Sequence, residues 1–467
     1  MPDDEDKDLE SEGPTGEYDW DRAHWEEIRV PADRLVLEPG EPPIQPKIPQ
    51  INPQPVTISG RCMKDSRGRY LPIGFTMMWA MWGYRHDRKR FLDNIKFMES
   101  LGVFDYARIL TNISRNHYWS DKSIEPDWND YDEIFKGTID ALWEVGLRTQ
   151  VTIFGSAEDY GNMKYQDQRL EHVARICSLM EGREYKVQFV EIANEAYNIG
   201  LDSLADISEL VRAVTGSFSD GFCGLAATSP QGGGADDVTL QRLFSEHECP
   251  ANITTVHFDR NDWEENYRHC RQPWHVQHWD HVPKFFSSNE PRNLHETNYS
   301  PELIAMDFAN TAISGGGTYV MHCAEGVRGD RDFSEIPRIL QIANALKNVK
   351  KVLPNDIASG GVANHHWDTH PFEGLDDQIW PDGHNTGVVR CFSSFINNEY
   401  YVIPLGIKEE LMFISTFDMR IDVYNPIGTA APFKFYELKK GDTGRITEDE
   451  DYSDIKSRSF IMRVTPI

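Results

Sequence analysis

No stretch of this 467-residue chain is apolar for the roughly 20 consecutive residues that a membrane-spanning helix needs. Positive charge is scarce as well. Lys and Arg number 47 against 75 Asp and Glu, a net charge of −28, which opposes binding to phosphate backbones or anionic membrane surfaces and favours a neutral ligand. Neither nucleic acid nor membrane is therefore expected as a partner. Cysteine is sparse: Cys62, Cys177, Cys223, Cys249, Cys270, Cys323 and Cys391 are odd in number, far apart and without CxxC or zinc-finger spacing. Buried thiols are expected, in place of a disulfide framework or a zinc site. HExxH is absent, and no phosphate-loop lysine follows Gly232, Gly233 and Gly234. The opening MPDDEDKDLESE lacks the basic and apolar regions of a secretory signal. The expectation is a chain that stays inside the cell or has had its signal removed.

What is present is enough apolar surface for a packed interior: 39% hydrophobic residues, with 12 Trp, 18 Tyr and 23 Phe. The length exceeds one ordinary core, so a large domain with a smaller companion is expected. Residues 1–55 read as an extension. Its first 16 residues are too polar to fold alone, and seven prolines in 39-PGEPPIQPKIPQINPQP-55 predict a polyproline-like spacer. Trp20, Trp25, Ile28 and Val30 between them suit a short helix docked on the body or on a partner.

From residue 56 the hydrophobic period alternates. A hairpin turning at Asp65-Ser66-Arg67-Gly68 leads into a first buried strand. Helical faces (Phe91, Ile95, Met98; Phe135, Ile139, Leu142) then interleave with strand-like runs such as 103-VFDYARIL-110 and 147-LRTQVTIF-154. The remaining strands are expected at 187–193, 222–228, 253–258, 284–289 and 317–323. The helices lie at about 166–180, around Leu204, Ile207 and Val211, near 237–246 and 262–271, through Ile304, Phe308 and Ile313, and through Ile336, Ile339 and Ala343. Eight strands alternating with helices over 56–355 predict an α/β fold of the (β/α)8 TIM-barrel type, where an open doubly wound sheet usually has fewer strands. After residue 355 short strands at 388–395, 400–404, 411–417, 433–437 and 459–464 predict a small C-terminal antiparallel β-sandwich domain over 356–467.

Barrel enzymes carry their chemistry at the C-terminal ends of the strands. There the fourth strand of this chain delivers Asn194-Glu195, in 188-QFVEIANEAYN-198, and the seventh delivers Glu290, in 286-FSSNEPRN-293. Two carboxylates across one mouth are what glycoside hydrolysis requires: one protonates the leaving oxygen, and the other attacks the anomeric carbon or activates water. Glu296 and Glu325 compete with Glu290 for the second place. Glu195 has an alternative role as a carboxylate stabilised at a helix N-terminus.

On these residues the chain resembles the clan A glycoside hydrolases, (β/α)8 retaining enzymes, with a weaker likeness to the apiosidase-like branch in Glu290-Pro291 and the Gly-rich step 314-SGGGTYV-320. The resemblance implies Glu195 as acid/base, Glu290 as nucleophile, Asn194 as ligand of the sugar 2-hydroxyl, Arg108 as the strand-two arginine and His257 as the strand-six side chain. Arg108 also fits a barrel-core ion pair, and His257 a hydrogen-bonded barrel histidine. Strand eight ends in His322 and Cys323, where many members have a Trp sugar platform. Trp79 and Trp82 after strand one are candidates for that platform, with His117, Trp119 and Tyr197 as further wall candidates and His322 as a neighbour of substrate. One of the two Trp residues could equally be core. His275, His278 and His281 drift around a helix without sharing a face, so 274-WHVQHWDH-281 is expected to be a substrate-contacting loop and no metal site. The run 364-NHHWDTH-370 reads as a polar interface at the domain junction. The expected protein is a retaining glycosidase acting on a poly- or oligosaccharide, without cofactor. A barrel that keeps carbohydrate binding but has lost chemistry is the alternative.

Overall fold

The computed structural model describes residues 53–114, 120–155, 163–194, 196, 201, 203–218, 225–227, 237–257, 274, 276, 280–290, 300–364, 372–373, 390–405, 410–447 and 460–467. Pro46–Ile467 form one compact unit. Residues 1–52 of the expected extension at 1–55, and the expected helix near 262–271, lie outside the described residues.

The chain enters through an antiparallel meander, β1 (Thr57–Ser59), β2 (Cys62–Asp65) and β3 (Gly68–Tyr70), with Asp65 opposite Gly68 at the expected turn. Eight parallel strands come next: β4 (Ile73–Thr76), β5 (Tyr106–Leu110), β6 (Arg148–Phe154), β7 (Val187–Ala193), β8 (Leu225–Ala227), β9 (Ile253–His257), β10 (Phe286–Glu290) and β11 (Gly316–Met321). They pair in chain order, and β11 returns to β4, which closes the barrel. Helices cover the outside because each carries one apolar face. Phe91, Ile95 and Met98 are buried on Arg88–Ser100, and Tyr131, Phe135, Ile139 and Leu142 on Tyr131–Glu144. Local signals set several starts. The Ser203 and Ser300 hydroxyls accept from the amides of Asp206 and Leu303, and Pro301 occupies the first turn of its helix. The last helix of the barrel begins at Ile339, later than its apolar pattern suggests. Ile336 ends a short 3-10 turn and Arg338 takes a left-handed φ of 59°, so Pro337 lies outside the helix.

The meander closes the N-terminal end of the barrel. Val56, Met63 and Tyr70 pack on Tyr106, Phe189, Ile253, Phe285 and Val320, and the Arg148 Nη1 donates to Asp65 Oδ2 at 2.7 Å. The opposite end, where the strands finish, is thereby left as the mouth.

Beyond the barrel two antiparallel sheets are formed from β12 (Gly361–Asn364), β13 (Phe372–Glu373), β14 (Arg390–Ile396), β15 (Glu399–Leu405), β16 (Glu410–Ser415), β17 (Met419–Tyr424), β18 (Lys434–Leu438), β19 (Thr443–Thr447) and β20 (Ile461–Pro466). The larger has the order β12-β14-β15-β20-β17-β18 and the smaller β13-β16-β19. Tyr401, Ile403, Tyr424 and Ile461 join the barrel's hydrophobic core. The Asn348 side chain on the last barrel helix donates to the carbonyls of Pro426 and Gly428, and the Ser394 hydroxyl to that of Ile357. Asn348 lies on the outer helix layer, and Ile357 in the short 3-10 turn that follows it. Cys62, Cys177, Cys249 and Cys323 are buried free thiols. Among the described residues no helix is long and apolar enough to cross a membrane.

One buried side chain should make this fold acid-sensitive. His172, on Gln166–Met180, packs its ring between Tyr131 and Phe154 at centroid distances of 6.1 and 5.7 Å, and its Nε2 has no hydrogen-bond partner among the described residues. Burial, with the Arg175 charge adding to it, pushes its pKa down to about 3. Between an unfolded value of about 6.5 and that folded value, the unfolded chain binds a proton that the folded one refuses, so stability falls as pH falls. About 2 kcal/mol should be lost to this group by about pH 5. His172→Phe keeps an aromatic ring in place and should flatten the pH dependence of urea unfolding between pH 7 and 5. Identical slopes for the two proteins would show that His172 does not supply it.

Candidate active site

The fourth barrel strand, β7, is buried along its whole length, so a charged side chain within it must be compensated inside the protein. That side chain is Glu191, with no exposed surface. Its Oε2 accepts from Arg108 Nε at 3.1 Å, Gln150 Nε2 at 3.2 Å and Thr152 Oγ1 at 2.7 Å, and lies 3.0 Å from Arg108 Nη2. Its Oε1 accepts from Thr255 Oγ1 at 3.3 Å and Asn289 Nδ2 at 2.5 Å. Donors from several strands thus converge on one carboxylate, and the register explains how. Thr152 is the lateral partner of Glu191, Gln150 that of Arg108, and Thr255 that of Ser287. Laterally paired residues of parallel strands share a face, here the barrel interior.

The network reaches the mouth at two points. Arg108 Nη2 also donates to Asn194 Oδ1 at 2.7 Å. Because a guanidinium has only donors, the Asn194 amide must turn its oxygen to Arg108, and its NH2 is left to serve another acceptor. The Asn194 backbone N–H donates to the Phe154 carbonyl at 2.8 Å, which ties the end of β7 to that of β6. The second point is Asn289. Its Oδ1 accepts from Gln150 Nε2 at 3.2 Å and Ser287 Oγ at 3.0 Å while its Nδ2 serves Glu191. Asn194 precedes Glu195 and Asn289 precedes Glu290 in the chain.

Glu195, Tyr197, Trp119, His117 and Glu296 lie outside the described residues, as do His275, His278 and most of the 364–370 run. Glu290 and His257 are described as backbone positions. They are register partners at the C-terminal ends of β10 and β9, beside a register shift between Ser288 and Glu290. Arg108 is a fully buried ion-pair partner of Glu191, as the barrel-core alternative expected, and it also donates to Asn194. His322, just past β11, is nearly buried, with Nδ1 3.2 Å from the Thr76 hydroxyl at the end of β4.

Trp79 does not serve as the expected sugar platform. Its indole is fully buried, tilts against Phe333 at 6.5 Å and donates its N–H to the Glu325 carbonyl, so it belongs to the core. The physical reason is that the first helix, Ala80–His86, starts directly after it and turns its side chain inward. Trp82 is half-buried in that helix, 5.3 Å from the His86 ring and 5.7 Å from the Lys122 ammonium. Glu325, the competing carboxylate, is buried and paired with Arg331 at 2.5 Å. Among the described residues no group of three or more His, Cys, Asp or Glu could hold a metal ion.

Gln150, Thr152, Glu191, Thr255, Ser287 and Asn289 were not singled out by sequence reasoning. The available signal was polar residues inside buried strands, alternating as in Gln150-Val151-Thr152 or consecutive as in Ser287-Ser288-Asn289.

No family model matches the sequence, and no curated protein matches it. Solved structures do. One is a glycoside hydrolase family 5 protein from Bacteroides vulgatus, with TM-score 0.63 and 12% identity over 90% of this chain and 95% of that one. Another, described as a glycoside hydrolase, has TM-score 0.60 and 12% identity over 90% and 99%. The fold is shared with solved glycoside hydrolases. Coverage of nearly all of both chains means that the likeness spans the barrel and much of the β-sheet region after it.

Proposed function

We propose that this protein is a retaining glycoside hydrolase of poly- or oligosaccharides, with Glu195 as acid/base and Glu290 as nucleophile. The observation that carries the reading is the buried network at the mouth, which holds Asn194 and Asn289, the residues immediately before the two glutamates, through one carboxylate. In this mechanism Glu290 attacks the anomeric carbon while Glu195 protonates the departing oxygen. Glu195 then removes a proton from the water that releases the sugar. The two carboxyl groups would lie about 5–5.5 Å apart, and no cofactor takes part. Asn194, oriented by Arg108, would donate its NH2 to the sugar 2-hydroxyl. His257, beside Glu290 in register, His322, Trp82, Trp119 and Tyr197 would line the cleft.

In this reading residues 56–355 are the catalytic barrel, 356–467 an accessory β-sandwich that braces its last helices, and 1–55 an extension. Among the described residues the accessory sheets bond to the last barrel helix at Asn348 and to the turn after it at Ile357, which supports a bracing role. The test is hydrolysis of a broad panel of polysaccharides and aryl glycosides by the purified protein, with Glu195→Gln and Glu290→Gln in parallel. Sugar release lost in both variants is the expected result. Folded wild type that binds glycans but cleaves none of them would favour a binding protein.

A further inference from the structure

We infer that Glu191 is the positioning residue that fixes the mutual geometry of the two proposed catalytic strand ends. The inference rests on the glycosidase reading for what is positioned, but its structural content stands separately. Glu191 touches neither proposed reacting group in its described contacts. It holds Asn289 directly and Asn194 through Arg108, so the seventh and fourth strands are referenced to one carboxylate. The ties between these strands cross the barrel interior, because β7 and β10 are not lateral neighbours in the closed sheet. Backbone ladders alone would allow the two ends to shift relative to each other across the lumen.

The carboxylate suits this work because all its neighbours donate. Oε2 faces Arg108, Gln150 and Thr152, and Oε1 faces Thr255 and Asn289. A glutamine here is nearly the same shape, yet whichever way its amide turns, its NH2 meets a donor. Relief requires Thr255 to rotate its hydroxyl or Asn289 to flip. A flip of Asn289 gives up the bonds its oxygen accepts from Gln150 and Ser287. At the same time the buried Arg108–Glu191 ion pair is broken.

The experiment compares wild type, Glu191→Gln and the double variant Glu191→Gln/Arg108→Gln, using Tm, kcat and KM on the best substrate of the panel, and crystal structures. Glu191→Gln is expected to fold, with Tm down by about 5 °C from the broken Arg108–Glu191 ion pair. Its kcat should fall about 100-fold with KM nearly unchanged, the size of effect that a displacement of about 1 Å produces. The double variant removes both members of the buried ion pair, so Tm should recover while kcat stays low. Recovery of kcat together with Tm would overturn the inference, since Glu191 would then only neutralise Arg108. Glu191→Gln with kcat and KM within about two-fold of wild type would also overturn it. If the wild type hydrolyses nothing, the glycosidase reading fails by itself, and the crystal structures still decide the positioning. A turned Asn289 and a changed separation of the β7 and β10 ends would support it, and unchanged ends would overturn it.

Discussion

Replacing the proposed nucleophile, Glu290→Gln, should cost at least about ten-thousand-fold in kcat on every glycoside, because no other group forms the glycosyl–enzyme bond. Glu195→Gln should behave differently, and the difference identifies the roles. A sugar leaving group needs its proton, so the loss on a natural glycoside should lie between about one-hundred-fold and ten-thousand-fold. An aryl glycoside with an acidic phenol leaves without that help, so formation of the glycosyl–enzyme should be nearly spared. The second step still lacks its base, so covalent sugar–enzyme should accumulate and a burst of phenol should precede slow turnover. Stopped-flow absorbance and intact-protein mass measurement read both. Equal losses on natural and aryl substrates, without a burst, would remove Glu195 from the acid/base role. A burst from Glu290→Gln would exchange the two assignments.

The barrel was legible in the sequence because its two periods differ so clearly. A strand buried on both sides, such as Val187–Ala193, reads as a continuous apolar run, whereas a helix such as Tyr131–Glu144 repeats its apolar residues every three to four positions. The strand Met419–Tyr424 was missed for the complementary reason. Arg420 and Asp422 break its run, and only in the folded sheet does Arg463, from the neighbouring β20, pair with the buried Asp422 at 2.7 Å. Trp79 shows the limit for single side chains. Its neighbours in sequence are the same whether the indole faces a cleft or the core, and the position of the first helix decides. At the site, residues at the strand ends stand out in the sequence more readily than residues inside the strands. Asn194 and the two glutamates are conspicuous there, but the carboxylate joining the strand ends is bound by residues from Arg108 to Asn289, a long-range arrangement that no local pattern encodes.

The closed end of the barrel should carry stability without carrying chemistry, and Asp65 tests that separation. Its carboxylate is fully buried and accepts from Arg148 Nη1 at 2.7 Å and from Arg67 Nη2 at 2.6 Å, so it fastens the entry meander to β6. Burial pushes its pKa up, but the hydrogen bonds and charges of Arg67 and Arg148 outweigh that and hold it below the usual carboxylate range. A depressed folded pKa means that the stabilisation is present above the unfolded value of about 3.9 and is lost as pH falls through the folded value. Asp65→Asn abolishes it at every pH and strands the Arg148 guanidinium in the interior, at a cost of about 3–5 kcal/mol. Urea unfolding at pH 7 should show this loss, and the gap between variant and wild type should narrow below about pH 4 as the wild-type carboxylate protonates. Active sites of such barrels lie at the opposite end, so kcat and KM at a temperature where both proteins stay folded should agree within about two-fold. A large fall in kcat with little change in unfolding would place chemistry at the floor of the barrel, contrary to the site proposed at its mouth.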